Sequence, residues 1–268
     1  MEATPPDIRA DGGEKLEIEK LLNFSCAMGR DLLQNGAEIY RVEESIERIL
    51  QAYGCGALEV FAIPACIIVN IQDGERNYTK SVRIRSAANN LRKLSNLNAL
   101  CRELCREVPP VDEAFRRLAE VMEEPCYPAW TGYLAHGLVA LFFTLFWGGN
   151  WLDGLAAFPC GLIVKYTVSA MRGVRANVFF TNLAASALLA LEPLTLQWAG
   201  LPVQTDKIII GSIMLLVPGI AITNVMRDIL AGDFLTALTR FAEVLIVAVG
   251  IALGAAVAMM AFRALAGL

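Results

Sequence analysis

The sequence predicts an α-helical membrane protein with five transmembrane helices, preceded by a cytoplasmic α/β domain of element order ααβββαα. Three observations carry that prediction. Charge is divided sharply along the chain. Residues 1–130 hold 16 of the 23 Lys and Arg and 21 of the 27 Asp and Glu, although the chain as a whole is 56% hydrophobic. The apolar runs that follow approach or exceed the roughly 20 residues that cross a bilayer. Upstream of them, the spacing of apolar residues changes from helical to alternating and back again.

Residues 1–14 have no apolar core of the kind a cleaved signal needs and are expected to be a disordered tail. The cytoplasmic domain is placed at 15–128. In its first helix Leu21, Leu22, Phe24, Ala27, Met28 and Leu32 recur at helical spacing, and Asn35-Gly36 supplies the stop. A second helix, Ala37 to Tyr53, carries Ile39, Val42, Ile46, Ile49 and Leu50, with Glu38, Arg41, Glu43 and Glu44 read as a solvated face. Three strands follow from Ala57. Pro64 parts the first two, and Asp73-Gly74 turns the second into YTKSVRIRS. Helical spacing returns over 89–108 and 111–123, divided by Pro109-Pro110, which a continuous helix does not tolerate.

The transmembrane domain is placed at 129–268, with spans at about 131–147, 153–172, 177–192, 208–231 and 235–262. Arg116, Arg117, Arg172, Arg175, Arg227 and Arg240 fall at one side, and Lys207 and Arg263 at the other. That bias puts the N-terminal domain in the cytoplasm and the C-terminus outside, in agreement with an odd number of spans. Trp130, Trp147 and Trp151 sit where an interfacial belt belongs.

Composition also excludes some functions. A net charge of −4 leaves no basic footprint for nucleic acid. Seven cysteines form no CxxC pair, and the single histidine, His136, cannot complete a zinc cluster with them. Neither a metal nor another cofactor is expected. Cys101 and Cys105, one helical turn apart, read as packing residues. With no nucleophile elbow, paired cytoplasmic carboxylates or metal cluster, an enzyme is not expected either.

The chemistry concentrates in KIIIGSIMLLVPGIAITNVMRDILAGD, from Lys207 to Asp233. Pro218-Gly219 breaks the apolar run near its middle, and a broken helix at bilayer depth normally lines a cavity. Downstream, Asn224, Arg227 and Asp228 share one helical face; across a turn at Gly232, Asp233, Thr236, Arg240 and Glu243 share another. Two polar stripes therefore meet. Lys165 lies within the second span, where an ammonium is costly, so it either serves substrate or coupling or snorkels to the interface. Glu243 either accepts a proton or forms an ion pair with Arg240 or Lys165. Helix capping and loop solvation offer a structural account of Asp228 and Asp233. His136 reads as a packed, hydrogen-bonded residue.

GAEIYRVEESIERIL from Gly36, EVFAIP from Glu59, VRIR from Val82 and VPGIAITNVMRDILAGDFLTALTRFAE from Val217 resemble the threonine/serine exporter family, over about residues 15–262. The resemblance implies secondary active efflux of a small hydrophilic metabolite, driven by the ion gradient, from a bacterial inner membrane; a proton is the expected coupling ion and a carboxylate the expected group on the substrate. Fused members carry a second set of about five spans; split members use a small separate membrane subunit. This chain looks like the larger subunit of a split system, a type associated with dicarboxylate (succinate) export, whereas fused members export threonine and serine. Expected partners are that small subunit, membrane lipid and further copies in a higher oligomer. The site residues supported by both the resemblance and the residue pattern are Pro218, Gly219, Asn224, Arg227, Asp228 and Gly232, joined on depth and spacing by Lys165, Arg240 and Glu243. A rival reading, a membrane-tethered ligand sensor or regulatory subunit, has little use for a Pro-Gly break or for Glu243.

Overall fold

A computed structural model describes residues 11–74, 76–84, 89–125 and 127–266, which fall into two compact units, Met1–Pro125 and Cys126–Leu268. The expected tail lies outside the described residues as far as residue 10, and its last residues, 11–14, are already helical. Arg85 of the VRIR stretch also lies outside them.

The first unit runs α1 (Asp11–Gln34), α2 (Ile39–Ala52), β1 (Ala57–Ile63), β2 (Cys66–Asp73), β3 (Arg76–Arg83), α3 (Leu91–Glu107) and α4 (Val111–Glu123). The apolar stripe of α2 explains its place: Ile39, Val42, Ile46, Ile49 and Leu50 are all buried, while Arg41 and Glu44 on the opposite side stay exposed. Glu43 departs from the solvated face expected of it. Its carboxylate accepts the Ala62 N–H at 2.8 Å and ties α2 to β1. The strands form one antiparallel sheet in the order β1-β2-β3, with the pairs Ile63↔Cys66 and Asp73↔Arg76 closing its two hairpins. Alternation along β2 sends Ile67, Val69 and Ile71 into the core and leaves Ile68 exposed on the other face. The core gathers these around Phe24, Met28, Leu97 and Leu104. Between α3 and α4 the chain turns through Val108 at φ 46° before Pro109-Pro110. Arg117 then clamps the two helices, reaching Glu103 at 2.8 Å and Glu107 and Glu113 at 2.9 Å.

The second unit comprises α5 (Ala129–Phe146), α6 (Trp151–Gly173), α7 (Val178–Trp198), α8 (Thr205–Ile213), α9 (Gly219–Ala231) and α10 (Phe234–Ala266). Four of these, α5, α6, α7 and α10, are long and apolar enough to cross a membrane. The expected single span at 208–231 is instead two shorter helices, α8 of 9 residues and α9 of 13, neither long enough to cross alone. Pro218 is the cause, because it has no N–H to give and its ring clashes with the carbonyl one turn back. Pro159 and Pro193, by contrast, are absorbed within α6 and α7. As a result α7 continues to Trp198, past the expected end of the third span at 192.

Small residues fill the core of this unit, among them Ala140, Ala157, Ala185, Ala190 and Ala255, and large apolar side chains such as Phe142, Leu155 and Leu253 point outward. Close backbone approach takes the place of interdigitated bulk, as in membrane helix packing generally. Gly161 shows why. A Cβ there would overlap the His136 carbonyl and stand 2.8 Å from the Gly137 Cα across the α5–α6 contact. Gly161→Ala is expected to lower the thermal midpoint of the purified chain, at a cost of about 1–3 kcal/mol. Gly173→Ala on the same helix meets nothing within 4 Å and serves as the control; equal midpoints for the two would contradict the packing.

Asp153, fully buried, anchors one end of the unit. It forms a capping box with Asn150 at the start of α6, and its other oxygen accepts the Gln204 N–H at 2.7 Å, so one carboxylate holds both a helix start and the loop before α8.

Candidate functional site

The break between α8 and α9 is closed locally. Leu216 N–H donates to the Ile213 carbonyl at 2.8 Å, and Gly219 N–H to the Val217 carbonyl at 2.9 Å. The Gly219 amide is therefore occupied, and any backbone donors for a ligand at this break come from later residues of the first turn of α9.

At its other end α9 stops at Gly232, whose φ of 85° is a conformation that a side chain resists. Gly232 N–H bonds to the Ile229 carbonyl at 3.1 Å and Asp233 N–H to the Asp228 carbonyl at 2.9 Å, which reverses the chain in a few residues. That reversal brings Asp228 of α9 against Arg240 of α10. Arg240 Nη1 lies 3.3 Å from Asp228 Oδ2, with 15% and 5% of the two side chains exposed. Among the described residues Asp228 Oδ2, which is buried, has no hydrogen bond of good geometry, so the pair is held by charge rather than by a satisfied network. Thr236 is buried beside this turn and Asn224 is half-buried on α9.

The structure thus brings together only part of the two polar stripes. Arg227 and Glu243 are exposed, and Arg240 is engaged by Asp228 rather than Glu243. Among the described residues, Glu243 makes no ion pair with Arg240 or Lys165.

Lys165 occupies a separate position on α6, half-buried. Its ammonium end lies over Gly132 of α5; a Cβ on that glycine would be 3.2 Å from Cε and 3.4 Å from Nζ. The missing side chain leaves the space that the lysine uses. One turn further along α5, His136 Nδ1 lies 2.7 Å from the Gly132 carbonyl, as expected of a packed, hydrogen-bonded histidine. Lys165 has no ion pair among the described residues.

A third polar group escaped the sequence reading. Pro193 lacks the N–H that would bond to the Leu189 carbonyl four residues back, and the freed oxygen is approached by Cys160 Sγ from α6 at 3.6 Å. The same thiol lies 2.8 Å from Glu192 Oε2. Ser212 of α8 is fully buried, and its hydroxyl lies within reach of the Cys160 thiol. Three helices therefore converge on Glu192, Cys160 and Ser212. A carboxylate followed by proline inside an apolar run was the available signal. Ending the third span at 192 had put Glu192 at the membrane edge, whereas α7 extends about 9 Å beyond it.

A family model described as "Putative threonine/serine exporter" matches residues 23–262. The chain is 24% identical over 252 residues to a "Probable threonine/serine exporter" of Mycobacterium tuberculosis, covering 92% of this chain and 47% of that protein. With the "Threonine/serine exporter" of Corynebacterium glutamicum it shares 25% identity over 263 residues, covering 94% and 54% respectively. To a "Probable succinate transporter subunit YjjP" of Klebsiella aerogenes it is 23% identical over 261 residues, and there the match covers 94% of this chain and 96% of the relative. The chain spans about half the length of the two exporters and nearly all of the subunit. No solved structure matches the chain significantly.

Proposed function

Since the chain belongs to the threonine/serine exporter family, we propose that it is the domain-bearing subunit of a two-component exporter that moves a small carboxylate-bearing metabolite out of the cell. The observation that carries this reading is the pattern of coverage: nearly end to end on a relative named a transporter subunit, and about half of relatives named exporters. In this reading a second membrane subunit of about five spans supplies what those exporters carry beyond the matched part. Glu243 supports its existence. It stands about 14 Å along α10 from Phe234, exposed on a helix otherwise rich in outward apolar side chains, and a carboxylate at that depth is costly against lipid. A neighbouring chain that covers it removes the cost.

In this scheme Lys165 meets the substrate carboxylate, and α9 and the Pro218 break supply the wall that changes shape. The Asp228–Arg240 pair couples transport to the proton gradient. Protonation of Asp228 would release Arg240, and deprotonation would recapture it across the Gly232 turn. Asn224, next to that pair, completes the polar stripe, and Glu192 is a second carboxyl able to carry a proton. The unit lies in the bacterial inner membrane with its first domain cytoplasmic. Threonine, serine and succinate all carry a carboxylate, so the substrate is settled by transport.

The test is efflux from cells preloaded with threonine, serine or succinate, comparing this chain, a candidate small partner, and both together. Efflux is expected only with both, and the metabolite that moves names the substrate class. Correctly inserted protein that moves none of them in any combination would end the exporter reading.

A further inference from the structure

The first unit contains a cleft of about 570 Å³ between α2 and α3. Its walls are set by helical spacing. On α2, Arg41, Glu44, Ser45 and Arg48 stand at i, i+3, i+4 and i+7; on α3, Asn98, Cys101, Arg102, Cys105 and Arg106 repeat the same pattern. Each helix thus offers two guanidinium groups to one concavity. Four guanidinium groups and Glu44 line the cleft, and with Glu38 and Glu107, which pair with Arg41 and Arg106 at its edge, the net charge is about +1. Three of the arginines have local partners: Arg41 with Glu38 at 2.9 Å, Arg48 with Glu44 at 2.6 Å and Arg106 with Glu107 at 3.3 Å. Arg102 has no ion pair among the described residues and is exposed.

The floor suits an anion as well. Cys101 and Cys105 lie within hydrogen-bonding reach of each other, and burial raises both thiols, Cys101 to about 12. Both stay neutral near pH 7 and do not repel a negative ligand. Ser45 and Asn98 add neutral polar groups at the sides.

We infer that the α2–α3 cleft of the cytoplasmic unit is a binding site for a soluble polyanion, a small metabolite bearing at least two phosphate or carboxylate groups. The volume falls within the range of small-molecule sites. Arginine is the side chain whose planar fork matches both oxyanions, and a ligand with two such groups can meet Arg102 of α3 and an arginine of α2 at once. A concave site with a buried floor also fits a soluble ligand better than a flat lipid surface. The inference does not rest on the exporter reading, because binding is measured without transport.

The experiment is calorimetric titration of the full chain in phosphatidylcholine nanodiscs with pyrophosphate, citrate and, as the monoanion control, acetate. Pyrophosphate or citrate is expected to bind one to one and acetate not to saturate. Arg102→Ala and Arg48→Ala should each weaken that binding by about tenfold or more, the loss typical of a charge-assisted hydrogen bond. Arg116→Ala, on α4 and outside the cleft, should leave it unchanged, and unaltered thermal midpoints would show that all three variants fold. The proposal is overturned if neither polyanion binds at millimolar concentration, or if the two cleft variants bind as the unaltered chain does. Displacement of the probe by phosphatidylglycerol added to the discs at constant ionic strength would assign the arginines to lipid headgroups and would overturn it too.

Discussion

Replacing Lys165 by methionine is expected to reduce efflux by at least about thirtyfold, while the amount of inserted chain stays the same. The magnitude follows from truncating one member of a desolvated charge pair, about 2 kcal/mol at the low end. Methionine keeps most of the apolar stem, so packing over Gly132 changes little and the lost term is the charge. The loss should not be shared by Lys207→Met, because Lys207 lies beside Asp206 in the first turn of α8, away from the Gly132 notch. Full efflux from Lys165→Met, with normal insertion, would remove the lysine from the transport path.

The second large effect is on stability. Arg240→Ala strands the Asp228 carboxylate, only 3% exposed, and is expected to cost about 3–5 kcal/mol, read as a fall in the thermal midpoint of the purified chain. Asp228→Asn with Arg240→Gln removes both charges together and should recover most of that loss, because neither charge is then left without a counter-charge. Transport should not recover with stability if the pair carries the coupling proton. A variant as stable as the parent after Arg240→Ala alone would show that the contact contributes nothing, and a double variant that exports normally would separate the pair from coupling.

Much of the fold could be read from spacing. The buried stripe of α2, from Ile39 to Leu50, followed from helical periodicity because one face of that helix has no alternative to burial. The hairpin at Asp73-Gly74 followed from turn chemistry. Proline was harder to read, since the same residue type had two outcomes. Pro218 divides a span into two helices; Pro159 and Pro193 are accommodated within α6 and α7, whose neighbours pack closely enough to hold the helix together. Sequence alone does not show which neighbours will be present.

The candidate site was legible in its residues more than in its pairings. Asp228 and Arg240 stand 12 positions apart, and only the left-handed turn at Gly232 makes them partners. Glu243 shares a helix with Arg240, yet it points elsewhere. The Glu192, Cys160 and Ser212 group joins three helices, and of its members only Glu192, followed by Pro193 in an apolar run, carries a local signal. Arg41 of α2 reads as part of a solvated face for the same reason: a cleft is a property of two helices, and each shows only half of it.

Asp153 has a mechanical consequence. By holding the start of α6 and the loop before α8 with a single carboxylate, it makes one end of the membrane unit a stiff frame. Below the break the situation is reversed, since α9 leans chiefly on α10 and is joined to α8 only through Met214–Pro218. Compliance is therefore concentrated at the end that carries Asp228 and Arg240. A force applied by a bound ion or a neighbouring chain at that end is expected to bend the turn between α9 and α10 before it disturbs the frame, with the buried aspartate holding the fixed side.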